Sequence, residues 1–218
     1  MASKNVLVVI LVLVIALYFY NRLSNPYRQF SSGAYWKTVT IGQVADIPDA
    51  ALAPGNKNGS VLMFAAGFVK DPAILRELIQ RGALINEQDS LHGTPLSSAA
   101  TLNTEPAIID FLVGAGADVN QKLYNGATPL MTAAYYNSNP EIVSQLVKHG
   151  ANLETRDNDG ETALIYAVRH NANVTVTRRL IELGANRKIV TSSGRSLLDY
   201  ARENENEEIS RYLAKQEN

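Results

Sequence analysis

Few residues in this chain of 218 are of a type that could carry out a reaction. There is no cysteine, which removes disulfides, thiolate metal sites and a cysteine nucleophile. Three histidines, His92, His149 and His170, remain as candidate bases or ligands. They are scattered singly along the chain, no nucleophile stands at a credible spacing from any of them, and the glycines form no loop that could cradle a phosphate. No catalytic residue, metal site, cofactor or small-molecule substrate is therefore expected, and the chain does not read as an enzyme. With 20 basic against 21 acidic residues, the formal net charge of -1 gives no overall field to attract nucleic acid. Asn58-Gly59-Ser60 and Asn173-Val174-Thr175 fit the glycosylation pattern, but turn and capping chemistry explains both.

The informative pattern is a repeat. Leu62, Leu96, Leu130, Leu164 and Leu198 stand 34 residues apart, as do Ala65, Ala99, Ala133, Ala167 and Ala201, and so do Gly82, Gly116, Gly150 and Gly184. Three ladders with one period indicate a solenoid in which no unit can bury its apolar face alone. Ser60, Thr94, Thr128, Thr162 and Ser196 are placed to cap a first helix, with Pro95 and Pro129 at its first position. A second helix carries the bulk, as in Ile142, Val143, Leu146 and Val147. It opens at Asp71-Pro72, Glu105-Pro106 and Asn139-Pro140, and closes on the glycine ladder in a left-handed turn. A short extended stretch and a turn such as Asn158-Asp159-Gly160 return the chain to the next cap.

Ahead of the repeats, Val6 to Tyr20 contains no charged or strongly polar residue. As a helix these 15 residues rise roughly 22 Å, and snorkelling by Lys4 and Arg22 stretches the span to about 27 Å, enough for a membrane anchor over residues 1–22. The rival reading is a cleaved signal peptide, which wants small residues where Tyr18-Phe19-Tyr20-Asn21-Arg22 stand; that aromatic cluster suits the headgroup interface. Basic residues after the segment, Arg22, Arg28 and Lys37, favour a cytoplasmic domain. The signal-like order and the absence of cysteine favour export, to the periplasm if the cell is bacterial, and export is the expectation. Residues 23–37 read as a tether. Residues 38–58 read as a degenerate capping half repeat, with Ile41, Val44 and Ala45 one period before Leu75, Leu78 and Ile79, and the polar run Arg202 to Glu208 reads as the C-terminal cap.

Thr94-Pro95-Leu96, Thr128-Pro129-Leu130, the alanine pairs at 99–100 and 133–134, and Gly116-Ala117-Asp118-Val119-Asn120 resemble the ankyrin repeat over residues 59–218. The expected fold is thus an all-α ankyrin-repeat solenoid of about five 34-residue helix-turn-helix-hairpin units preceded by one transmembrane helix. Two departures from the family pattern stand out. The histidine usual after Thr-Pro-Leu is replaced by Met63, Ser97, Met131, Ile165 and Asp199, which removes a buried tether. The period is one longer than the usual length of about 33, the extra residue falling in the turn between the two helices.

The resemblance implies docking of another protein on the hairpin tips and the exposed ends of the first helices. On this chain that is Phe68, Leu102, Tyr135, Tyr136, Arg169 and His170 on the helices, with Leu91 and Tyr124 on the tips. Tyr135 can equally fold back into the core. The expected function is a membrane-tethered module that recruits, protects or inhibits a protein partner, as toxin immunity or as a helper of a periplasmic enzyme. The alternative is an accessory or structural subunit of a larger membrane complex.

Overall fold

The computed structural model describes residues 28–52, 60–171, 173–191, 194–203 and 207–215. The anchor expected at 1–22 lies outside them, as do 23–27 of the tether, 53–58 of the half repeat and 204–206 of the polar C-terminal run. Among the described residues no helix is long and apolar enough to cross a membrane.

After a short 3-10 turn, Arg28–Ser31, the chain forms α1 (Gly33–Thr38), α2 (Ile41–Val44) and α3 (Asp49–Leu52). Five helix pairs follow: α4 (Val61–Phe68) with α5 (Pro72–Gln80), α6 (Pro95–Leu102) with α7 (Pro106–Gly114), α8 (Pro129–Tyr136) with α9 (Pro140–Lys148), α10 (Ala163–His170) with α11 (Val174–Glu182), and α12 (Leu197–Glu203) with α13 (Glu207–Ala214). First helices stack in one row, α4 to α12, and second helices in another, α5 to α13. No strand forms among the described residues beyond one isolated antiparallel bridge, Val190 to Ser196.

The local signals act where the sequence places them. The hydroxyls of Ser60, Thr94 and Thr128 accept from the backbone N–H three residues on, and Ser196 does the same from Asp199. Thr162, buried, makes no such side-chain bond, and its carbonyl accepts the first helical N–H, from Tyr166, at 3.0 Å. Asp71, Asn139 and Asn173 cap the second helices, whereas Glu105, one methylene longer, leaves α7 without a side-chain cap. Gly82, Gly116, Gly150 and Gly184 all take φ between 91° and 101°, and the alanine after each donates back to the last turn, as Ala117 does to Leu112 at 2.9 Å. The alanine ladder is completely buried between neighbouring first helices, where a larger side chain would push the row apart.

Residues 33–37, read as tether, form one helix with Thr38, read as the start of the half repeat. Trp36 is buried and its Nε1 donates to the Phe30 carbonyl at 2.7 Å; α1 packs on α4 while α2 packs on α5. The element read as half a repeat is therefore a shortened pair. Six residues with two aromatics are too short for a helical period to register in the sequence. Arg81 clamps this pair to the array: its guanidinium donates to the carbonyls of Val44 and Ile47 and pairs with Asp49.

A further ladder holds the layers together. Asn103, Asn137 and Asn171, one period apart and buried, each donate Nδ2 to two carbonyls of the preceding unit. One lies in the last turn of that unit's first helix and the other in the turn after it: Ala66 and Val69, then Ala100 and Asn103, then Ala134 and Asn137, at 2.8 to 3.0 Å. Each Oδ1 accepts the backbone N–H two residues on. The longer inter-helix turn thus carries a tether of its own, in a family pattern where the histidine tether is missing.

Candidate functional site

Phe68, Leu102, Tyr136 and His170 are the last residues of α4, α6, α8 and α10 and form one column along the stacked first helices. Packing leaves Leu102 50% and Tyr136 63% exposed. Beside them the tips carry Leu91, 63% exposed, and Tyr124, 74% exposed. Backbone bonds join the tips to one another: Tyr124 N–H donates to the Leu91 carbonyl at 3.0 Å, and Asn158 N–H to the Asn125 carbonyl at 3.1 Å. His92, held at a φ of 59°, packs edge-on to Tyr124. Five of the eight side chains expected to meet a partner, His170 among them, therefore stand open.

The other three, with one face of His170, are engaged inside the molecule. Phe68 is half-buried, its ring pressed on Gly33 so closely that a Cβ there would lie 2.5 Å from a ring carbon, and the Lys37 ammonium is 5.6 Å from the ring centre. The N-terminal helix that covers it is the one read as tether. Tyr135, half-buried, is both core and platform: its ring stacks on His170 at 4.1 Å and lies 4.0 Å from Tyr136. Arg169 pairs with the buried Glu161 and lays its guanidinium over the Tyr200 ring, so it is an internal strut between the fourth and fifth units. His170 has an exposed edge, but burial of its stacked face, and then the Arg169 charge, lower its pKa to about 4.

Several groups at the site gave no signal in the sequence. Asp157 shapes the third tip by accepting two backbone N–H bonds on Oδ1, from Asp159 and Glu161, while Oδ2 accepts the Tyr166 hydroxyl at 2.7 Å. Burial, followed by that bond, pushes the Tyr166 pKa above the ordinary phenol range. Glu161 is also raised, burial outweighing the pull of Arg169. Between α4, α6 and the first tip lies an apolar cleft of about 410 Å³, floored by Phe64, Phe68 and Leu102 and walled by Leu91 and Leu123. Asp89 looks onto it. Finding these groups needs the pairing of each tip with the following helix, which a linear reading does not supply.

His149 lies elsewhere, with Nε2 2.6 Å from Asp110 on the preceding second helix. Among the described residues no three His, Asp or Glu side chains gather as metal ligands would. What the face offers chemically is exposed aromatic and aliphatic surface rimmed by polar tips, which is the make-up of a contact surface.

The family description "Ankyrin repeats (3 copies)" matches residues 62–157 and 137–218, so that the matches run from the first alanine-ladder unit through the last. No curated protein matches the chain at a significant level. Ankyrin repeats are generally protein-interaction modules. With the helix pairs, left-handed glycines and tips as described, the chain belongs to the ankyrin-repeat family.

Proposed function

We propose that this protein is a membrane-tethered binding module that recruits, protects or inhibits a protein partner through the face built by the first helices and the tips. The observation that carries this reading is the recurrence of large apolar side chains, Leu102 and Tyr136 in one column with Leu91 and Tyr124 beside it, at positions where the solenoid's own packing leaves them half to three-quarters exposed. Single exposed hydrophobics need no explanation, but a row of them on rigid, connected elements does. Tether and location follow the sequence: residues 6–20 hold the chain in a membrane, and the signal-like order together with the lack of cysteine supports repeats on the exported side.

The test is affinity purification of the full chain from detergent-solubilised membranes, beside a Leu102→Ala/Tyr124→Ala/Tyr136→Ala variant. Loss of one soluble protein from the variant supports the reading. Retention of the same membrane subunits by both chains would instead make the protein an accessory subunit bound through its anchor.

A further inference from the structure

Two tips are built on the same carboxylate, two periods apart, and differ in what the following helix presents to its second oxygen. Asp89 Oδ1 accepts the N–H groups of Leu91 and Gly93, each at 2.8 Å, as Asp157 Oδ1 accepts those of Asp159 and Glu161. In the third tip the second oxygen is closed by Tyr166 of α10. The residue in the Tyr166 position of α6 is Ser98, too short to reach, and its hydroxyl donates to the Met63 carbonyl at 2.7 Å instead. Asp89 Oδ2 makes no hydrogen bond among the described residues. The space beside it, where the corresponding tyrosine ring would lie, is the apolar cleft lined by Phe68, Leu91 and Leu102.

The other polar side chains of the cleft have little to donate. Ser97 and Thr101 direct their protons to the carbonyls of Thr94 and Ser97, and Thr94 is buried as the helix cap. An occupant therefore meets acceptors above an apolar floor, with a carboxylate at one end. A donor on an apolar stem satisfies all three conditions, and a charged donor binds a carboxylate about twice as strongly as a neutral one. Lysine and arginine carry such stems. Lys37, beside Phe68, repels a cation at the α1 end and so directs an incoming head towards Asp89.

We propose that this cleft is a specificity pocket for a basic side chain of the partner, its stem on Phe68 and Leu102 and its head on Asp89. The inference rests on the binding face proposed above and names the chemistry of what the face recognises.

The probes are butylguanidinium, 4-methylphenol and butyrate, titrated into the full chain in detergent micelles while the leucine methyl resonances are followed. Butylguanidinium is expected to shift Leu91, Leu102 and Leu123 saturably, and to do so on the order of fivefold more tightly than either other probe. Asp89→Asn retains an acceptor for the two backbone N–H groups and so keeps the turn; it removes that preference. Ser98→Tyr, which copies the Tyr166 arrangement, closes the cleft to all three probes and guards against a misfolded Asp89→Asn. Equal binding by 4-methylphenol or butyrate, or butylguanidinium binding unchanged in Asp89→Asn, overturns the proposal. Partner capture separates the two levels. If it is lost in the Leu102→Ala/Tyr124→Ala/Tyr136→Ala chain but kept in Asp89→Asn, the face stands and the basic-group inference falls. If it is kept in both, the face itself falls.

Discussion

Asn137 donates its Nδ2 to the backbone carbonyl of Asn103 at 2.8 Å, and Asn103, one period earlier, makes the same bond to Val69. The second, third and fourth layers are thereby each stapled to the one before, and the backbone carbonyl of one stapling asparagine accepts the next staple. In a solenoid the stability of the array depends on nearest-neighbour interfaces, so a bond that recurs across the first three interfaces of the array acts on cooperativity as well as on stability.

Asn137→Ala removes three hydrogen bonds at a residue that is 3% exposed and strands two carbonyls and an amide. Urea unfolding followed by circular dichroism is expected to show a loss of about 2–4 kcal/mol. Asn158→Ala, at an exposed tip, is expected to cost under about 1 kcal/mol. Equal costs would mean that the ladder contributes nothing beyond an ordinary surface amide.

Arg169→Ala leaves the Glu161 carboxylate buried without its partner, at an expected cost of about 1–3 kcal/mol near neutral pH. Burial already holds the folded pKa of Glu161 above its ordinary value, so the folded chain binds the proton more tightly than the unfolded one. This group's contribution is present below the ordinary value and is lost as pH rises through the folded pKa. Removing Arg169 takes away the opposing pull and moves that pKa further up. The deficit of the variant should be larger at pH 7 than at pH 4 in parallel urea curves; a deficit independent of pH counts against the pairing.

His170 should titrate with a pKa of about 4 when its ring carbons are followed by NMR, because burial against Tyr135 and then the Arg169 charge disfavour the cation. The sign of the linkage is that of a base with a depressed folded pKa: stability contributed by the neutral ring is complete above the unfolded value and is lost as pH falls from about 6.5 towards 4. In Tyr135→Ala the pKa rises towards the ordinary value. A midpoint near 6.5 in the parent chain would show that the stacked face is solvated.

Arg81→Met keeps the stem and removes the bonds to Val44, Ile47 and Asp49. The N-terminal pair should open locally while the array stays folded, so limited trypsin digestion should cut after Lys37 about tenfold faster, with little change in the main thermal transition. An unchanged cleavage rate would show that Trp36 and Phe30 hold the cap without it.

The repeat, the caps and the left-handed glycines were legible because each is a short-range device: a hydroxyl reaches three residues on, and a glycine turns the chain at its own φ. Exposure at Leu102 and Tyr136 was legible for a related reason, since the alanine and leucine ladders already fill the core positions of their helices. The roles of Phe68 and Arg169 were not, because each depends on a residue from a neighbouring layer, Gly33 for one and Tyr200 for the other. The asparagine ladder has the same period as the others, yet in the sequence it reads as three polar turn residues. Only stacking shows that the carbonyls it serves belong to the preceding unit.

The unit and its length follow from local backbone preferences and one hydrophobic pattern repeated at 34 residues, all of which lie in the sequence. Packing between layers settled which of the other candidate residues are taken up inside, as Gly33 takes up Phe68 and Tyr200 takes up Arg169. Asp89 and Asp157 accept the same pair of backbone bonds on Oδ1, but the following helix presents a serine to one and a tyrosine to the other, and the cleft lies beside the carboxylate that faces the serine.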